Sequence, residues 1–71
     1  MEMLSRHPAT QAIMRYFEYD HLPKGLQPFS QPVHVLAHAM LDVLDDGPEL
    51  TAGLRKLLEA KDCFVRAALD R

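Results

Sequence analysis

The 71-residue sequence has little of what usually stabilises very small domains. It contains one cysteine, so no disulfide can form within the chain, and no cysteines are paired at the spacing of a zinc site. A single copy of this length buries only about 60% of the surface that its unfolded chain exposes. We therefore expect one domain, residues 1–71, in which two or more chains share a hydrophobic core.

The sequence also lacks a membrane-spanning run and an excess of positive charge. No apolar stretch approaches the roughly 18 residues that cross a bilayer, and the first residues lack the basic and apolar regions of a secretory leader. Eight Lys and Arg against ten Asp and Glu give a formal charge of −2, which argues against a long nucleic acid as partner. We expect an unprocessed cytoplasmic protein. A small anionic ligand, bound by a few local cations, is still compatible with this charge.

The amino-terminal part of the chain predicts one helix and an irregular connector. The helix runs from about Ala9 to Tyr19, with Pro8 in its first turn. Its expected apolar face is Ala9, Ala12, Ile13, Tyr16 and Phe17. One glycine and three prolines exclude a long regular element between residues 21 and 32.

A second helix is predicted from Ser30 or Gln31 to about Asp45. Its expected apolar stripe is Phe29, Val33, Leu36, Ala37, Met40, Val43 and Leu44. Its expected polar face is Gln31, His34, His38, Asp42 and Asp45. The stripe is wide enough to pack against a neighbouring helix.

The turn DDGPE predicts the start of a third helix, from about Pro48 to Leu69. Asp46 is placed to cap this helix, and Glu49 is placed to complete a capping box. Because so short a turn makes neighbouring helices antiparallel, we predict an all-α fold: a short amino-terminal helix followed by an antiparallel two-helix hairpin, assembled as an oligomer.

The predicted third helix has a broad apolar arc, wider than one partner helix needs. The arc comprises Leu50, Leu54, Leu57, Leu58, Phe64, Val65, Ala68 and Leu69. Gly53, Ala60 and Ala67 recur every seven residues along one edge, where small side chains let another helix approach closely. Lys61 lies within the arc, so its ammonium either reaches water past the apolar surface or meets an anion or a carboxylate of another chain.

Signatures of catalysis are absent from the sequence. Two candidate reactive sites, one histidine cluster and one cysteine, have simpler explanations. His34, His38 and Asp42 follow one another at single-turn intervals and could ligate a metal, but solvated polar residues explain them as well. Cys63 lies late in a helix, where the dipole disfavours a thiolate, so we expect a passive packing cysteine. We expect neither an enzyme nor a cofactor or metal requirement.

Aromatic, imidazole and cationic residues are concentrated between Tyr16 and Lys24, at the junction of helix and connector. Flat rings beside a cation suit a purine ring and a phosphate. The alternative is ordinary structure, in which Phe17 packs in the core while Tyr19 and Lys24 are surface residues. Both readings stay open at this point.

The segments FEYDHLPKG and LTAGLRKLLEAKDCFVRAAL, joined by a helix and an acidic turn with Pro and Glu, resemble a family of phage anti-defence proteins. These are the helical-hairpin sponges of the anti-CBASS and anti-Thoeris type, which sequester cyclic nucleotide signals. The resemblance covers about residues 15–69. It implies a homo-oligomer, a dimer or a hexamer, that binds cyclic di- or trinucleotides in the bacterial host cell without cleaving them.

The resemblance also implies a set of ligand-binding residues. Phe17 and Tyr19 would supply ring surfaces, and His21 and Lys24 would face phosphates or base edges. The remaining two positions, on the third helix, are Thr51 and Arg66. The alternative function is a small helical module that binds another protein through the apolar arc of the third helix and needs no nucleotide.

Overall fold

The computed structural model of the chain describes residues 3–70, with Leu4 described by its backbone alone, and these residues form helices and loops without any strand. Residues 1, 2 and 71, at the ends of the expected domain, lie outside the described part. The described residues form α1 (Pro8–Met14), α2 (Gln27–Val43) and α3 (Pro48–Leu69), with 3₁₀ turns at Met3–Ser5 and Arg15–Phe17. The all-helical class predicted from the sequence is confirmed.

The first helix is shorter than predicted and buries a different face. It ends at Met14, tightens into the 3₁₀ turn and becomes extended at Glu18. The buried residues are Thr10, Ile13, Met14 and Phe17, which recur at the i, i+3, i+4, i+7 spacing of one helix face. The prediction was wrong for Tyr16, 64% exposed, and for Ala9 and Ala12, which are also exposed.

The second helix begins three residues earlier than the predicted Ser30 because its prolines are compatible with helix. Pro28 falls in the first turn, where the missing N–H would have no intrahelical partner. Pro32 lies inside the helix and removes one backbone hydrogen bond without ending it. The helix ends at Val43, two residues before the predicted Asp45, because Leu44 is extended.

One hydrophobic core joins the three helices. Its buried apolar members are Ile13, Met14, Phe17, Val33, Ala37, Leu41, Leu50 and Leu54. Leu41 was missing from the predicted stripe of α2, whereas the predicted Leu36, Val43 and Leu44 are 46%, 73% and 46% exposed. The stripe that α2 buries is therefore rotated from the expected one, and part of its apolar surface is left open.

The amino-terminal segment is fastened to the turn between α2 and α3 by a polar cluster. Arg6, 4% exposed, donates to the carbonyl oxygens of Leu41 and Leu44 (2.9 Å for the latter) and to Asp46 Oδ1 at 3.1 Å. Asp46 also accepts from the His7 N–H at 2.8 Å and from the Thr10 hydroxyl at 2.9 Å. Arg6 thus satisfies carbonyls at the end of α2 that have no partner within the helix.

The capping box predicted at the start of α3 does not form. Gly47 is the N-cap and has no side chain with which to cap the helix, and the carboxylate of Asp46 is directed to the amino-terminal segment instead. The Thr51 hydroxyl donates to the Gly47 carbonyl oxygen at 3.2 Å. The predicted bounds of the helix, Pro48 to Leu69, are nevertheless confirmed.

Candidate ligand-binding site

Residues 18–26, named here the connector, form an ordered loop between the 3₁₀ turn and α2. Two backbone hydrogen bonds close successive turns, from the Leu22 N–H to Tyr19 and from the Leu26 N–H to Pro23, at 3.0 and 2.8 Å. The Gln27 side-chain amide donates to the Leu22 carbonyl at 2.9 Å. The connector is therefore held to the first residue of α2 and presents His21 and Lys24 at the surface.

A cavity of about 210 Å³ lies where the connector meets α2 and the carboxyl-terminal half of α3. Its lining residues are Leu22, Ser30, Lys61, Asp62, Val65 and Arg66. This cavity, named here the connector cavity, combines two cations, one carboxylate and one hydroxyl. The cations suit an anionic ligand group, and the carboxylate suits an amide or amino donor.

Ser30 is the least expected member of the connector cavity. Its side chain is fully buried, and its hydroxyl has no hydrogen-bond partner among the described residues. A buried hydroxyl without a partner is destabilising, whereas nearly all such groups in proteins are hydrogen-bonded. The sequence reasoning treated Ser30 only as a helix start. Its burial could have been predicted from its spacing, because Ser30 lies on the same face of α2 as the buried Val33, Ala37 and Leu41.

The Lys61 ammonium lies at the surface, as one of the two alternatives drawn from the sequence expects, and it also has a partner that neither alternative named. The residue is half-buried, and its ammonium donates a hydrogen bond to the backbone carbonyl of Tyr16. This bond ties α3 to the 3₁₀ turn and fixes the ammonium beside the connector cavity. An ammonium has three donors, so the bond to Tyr16 leaves donors for an anion.

Arg66 has the freedom that a ligand-binding cation requires. It is exposed on α3, and its guanidinium contacts the sulfur of Cys63 at 3.4 Å, which is a weak acceptor. Most of the five guanidinium donors therefore remain for a carboxylate or a phosphate. Cys63 itself is exposed, so the expectation of a packing cysteine is wrong for this chain.

The aromatic residues expected to bind a ligand are engaged within the chain. Phe17 is fully buried in the core, so the expectation that its ring offers a surface to a ligand is wrong. Tyr19 is half-buried, and its ring meets His34 edge to face, with centroids 5.1 Å apart and an interplanar angle of 71°. Only part of the Tyr19 ring remains accessible.

Thr51 lies far from the other expected site residues. It precedes Arg66 by 15 positions on α3, a separation of about 22 Å along the helix axis. It lines a different cavity, of about 270 Å³, whose other polar side chains are His7, Thr10 and Asp46. The carboxylate of Asp46 makes that cavity unfavourable for an anion. Within one chain, Thr51 and Arg66 cannot contact the same small ligand.

His34 and His38 lie next to each other on α2, and His34 is half-buried rather than fully solvated. His34 donates from Nδ1 to the Phe17 carbonyl oxygen at 3.0 Å, because a carbonyl can only accept, and the two imidazole centroids are 4.4 Å apart. The pKa of His38 is lowered, mainly by burial and then by His34, while Asp42 opposes the shift. In residues 3–70, no three His, Cys, Asp or Glu side chains are grouped closely enough to hold a metal ion.

No protein-family model, curated protein or solved structure matches the chain. Among the described helices, none has the length and apolar character needed to cross a membrane. The chemistry of the described side chains therefore carries the functional argument, with the connector cavity as its centre.

Proposed function

We propose that this protein is a phage anti-defence sponge: it binds a cyclic oligonucleotide second messenger without cleaving it and so blocks CBASS-type immune signalling in the cytoplasm of the bacterial host. The observation that carries the proposal is the connector cavity, where the unpartnered hydroxyl of Ser30 lies with Lys61 and Arg66. The two cations outweigh the single carboxylate of Asp62 in this cavity and suit the phosphate of a nucleotide.

The connector adds the remaining groups that a nucleotide needs. His21 and Lys24 are exposed on it, and Tyr19 stands at its start with part of its ring accessible. These residues carry the resemblance to the sponge family. A cyclic oligonucleotide held here would place its phosphate against Lys61 and Arg66 and its bases towards the connector.

The size of the connector cavity supports an oligomeric sponge. Sites for drug-sized ligands usually measure about 300–1,000 Å³, whereas this cavity measures about 210 Å³. One chain therefore accommodates a part of the ligand, and a second chain would cover the remainder. A homo-oligomer, dimer or hexamer, meets this requirement.

The hairpin is part of the same proposal. Phe29 and Val33, early in α2, share one cavity with Phe64 and Ala68, late in α3. Met40 and Leu44, at the end of α2, share another cavity with residues of the first turns of α3. These neighbours support an antiparallel hairpin, whose two helices give the connector cavity a rigid wall.

A thermal-shift screen tests the proposed function. Cyclic dinucleotides, cyclic trinucleotides and cyclic ADP-ribose isomers are each added to the purified protein. A ligand at 100 times its dissociation constant stabilises the native state by about 2.7 kcal/mol. We expect a clear shift with one class and its loss in Arg66→Gln and Lys61→Met, with Arg55→Gln and Lys56→Met as controls on the same helix. A flat screen would contradict the proposal.

A second candidate function is favoured by the open apolar surface of the molecule. Leu36, Val43 and Phe64 are 46%, 73% and 54% exposed, which is typical of a surface that contacts another protein. Under this alternative the chain is a helical interaction module without a nucleotide ligand. Stabilisation by a cyclic nucleotide that depends on Arg66 would exclude it as the sole function.

A further inference from the structure

The open surface of α3 carries a regular alternation of large and small side chains. Its stripe follows the 3-4 heptad spacing of a coiled coil. The large members are Leu50, Leu57 and Phe64, and the small members are Gly53, Ala60 and Ala67. Phe64 is 54% exposed, Gly53 and Ala67 are exposed, and Leu57 and Ala60 are half-buried. Leu50, at the inner edge, is the member that the chain's own core already covers.

Gly53 has no explanation in the packing of a single chain. Glycine inside a helix is destabilising by about 1 kcal/mol relative to alanine, and Gly53 lies in the second turn of a 22-residue helix. A Cβ atom built at Gly53 would have no neighbour within 4 Å. Packing within this chain therefore does not require a glycine here, whereas the close approach of an external helix would.

The surroundings of the stripe suit an apolar helix. Two cavities lie along it, of about 460 and 260 Å³, between α2 and α3. Apart from Glu49, the residues that line them are uncharged: Phe29, Pro32, Val33, Phe64, Ala67 and Ala68 in the larger cavity, and Leu36, Met40, Leu44, Leu50, Gly53, Leu54 and Leu57 in the smaller. A groove of this kind binds the apolar face of a helix.

We infer that the occupant is α3 of a second copy of this chain, packed antiparallel. In this register Gly53 lies opposite the partner's Phe64 and Leu57 opposite the partner's Ala60, while Leu50, largely covered by its own core, lies at the edge of the interface opposite the partner's Ala67. Every layer combines one large and one small side chain, so the stripe is complementary to its own reverse. A two-fold symmetric interface requires such self-complementarity.

A parallel arrangement of the two α3 helices does not pair large side chains with small ones. It would place Phe64 against the partner's Phe64 and Gly53 against the partner's Gly53, which gives one crowded layer and one void. Voids and overpacking are both destabilising in a helical core. The exposed Leu36 of α2 and Leu44, directly after that helix, border the stripe and extend the apolar area that the second copy covers.

This inference rests on the proposed function in one respect: it identifies the interface of the oligomer that a sponge requires. Self-association is measured without any nucleotide, so its failure is distinguishable from the failure of ligand binding. A chain that associates through α3 but binds no cyclic nucleotide would overturn the sponge alone. A monomer that binds a cyclic nucleotide would overturn the interface alone.

Sedimentation equilibrium of the purified chain and four variants tests the interface. We expect the wild type to form dimers or larger assemblies. Gly53→Phe crowds its layer and Phe64→Ala leaves a void, so each should raise the dissociation constant by about tenfold or more. The double variant Gly53→Phe/Phe64→Ala exchanges the large and small positions and should restore association, because position 53 again faces the partner's position 64.

The matched control is Ala52→Phe, which adds the same ring one position away, outside the stripe. Ala52 is exposed, so this variant should associate as the wild type does. Far-ultraviolet circular dichroism checks that every variant stays helical, which the open space at Gly53 favours. A wild type that remains monomeric at its highest soluble concentration, or a double variant that is no better than Gly53→Phe, would overturn the proposal.

Discussion

The two ends of α3 differ in what their side chains contact. Near its start, Leu50 and Leu54 are buried in the core, and Arg6 and Asp46 fasten the amino-terminal segment beside them. Near its end, Phe64 and Leu69 are 54% and 64% exposed, and Ser30 has an unpartnered hydroxyl in the adjacent cavity. The first end buries its leucines within one chain and leaves Gly53 open, whereas the second leaves large apolar and polar groups for other molecules.

Replacing a buried aromatic ring and an exposed one should give the largest difference. Phe17→Ala removes a fully buried ring and should destabilise the chain by about 3–5 kcal/mol. Phe64→Ala removes a ring that is 54% exposed and should cost less than about 1 kcal/mol in the dissociated chain. Urea unfolding at a protein concentration too low for self-association measures both. Equal losses would show that the exposed Phe64 ring stabilises a single chain as much as the buried Phe17 ring does.

Arg6→Met should have the next largest effect. The change removes the donor to the Leu41 and Leu44 carbonyls and to the Asp46 carboxylate, and hydrogen bonds to charged groups contribute about 1.5–3 kcal/mol. We expect a loss of at least about 2 kcal/mol in urea unfolding. Arg55→Met, at an exposed position of α3, is the control and should stay within about 0.5 kcal/mol of the wild type.

Two buried hydroxyl groups sharpen the comparison further. Thr10, 1% exposed, donates to Asp46 Oδ1 at 2.9 Å, so Thr10→Val should destabilise the chain by about 1 kcal/mol or more. The Ser30 hydroxyl has no partner among residues 3–70, so Ser30→Ala should be neutral or slightly stabilising while weakening the binding of a cyclic nucleotide. A loss of stability in Ser30→Ala comparable to that of Thr10→Val would mean that Ser30 serves the fold.

The smallest effects concern pH. The His7 N–H, followed by Thr10 and Arg6, holds the pKa of Asp46 below its ordinary value of 3.8 despite opposing desolvation. Its stabilisation is therefore present above pH 3.8 and is lost as pH falls through the lower pKa of the folded state. Asp46→Asn should abolish this acid dependence of the unfolding free energy, measured in urea across a pH series.

His38 should act at higher pH and for another reason. Its pKa lies below 6.5 in the folded chain, so the unfolded chain binds a proton more readily and stability declines as pH falls below 6.5. His38→Gln should remove this decline. A wild-type free energy of unfolding that increases as pH falls below 6.5 would contradict the lowered pKa of His38.

The sequence predicted the helices better than it predicted their orientation. The bounds of α3 follow from Pro48 and the long apolar periodicity, and no tertiary contact alters them. In α2, however, Phe29, Val33, Leu36 and Leu41 are all apolar, and the packing of α3 and of the 3₁₀ turn Arg15–Phe17 against the helix determines which of them are buried. A wide apolar surface therefore predicts a helix without identifying the side that faces the core.

The candidate site was predictable only in part for a similar reason. The connector residues His21 and Lys24 are local in sequence, and they are exposed as a ligand-binding group must be. Ser30, Lys61 and Arg66 are brought together by packing between distant segments, which no local motif encodes. The role expected for Asp46 failed because a long-range partner, Arg6, competes with the local helix start for its carboxylate.

The central claim is that the chain binds a cyclic oligonucleotide stoichiometrically and leaves it intact. Isothermal titration of the purified protein with the best ligand of the thermal-shift screen, followed by chromatography of the recovered nucleotide, tests it most directly. The account predicts saturable binding, unchanged ligand and much weaker binding by Arg66→Gln. Absence of binding by every cyclic nucleotide, or recovery of a linear product, would contradict it.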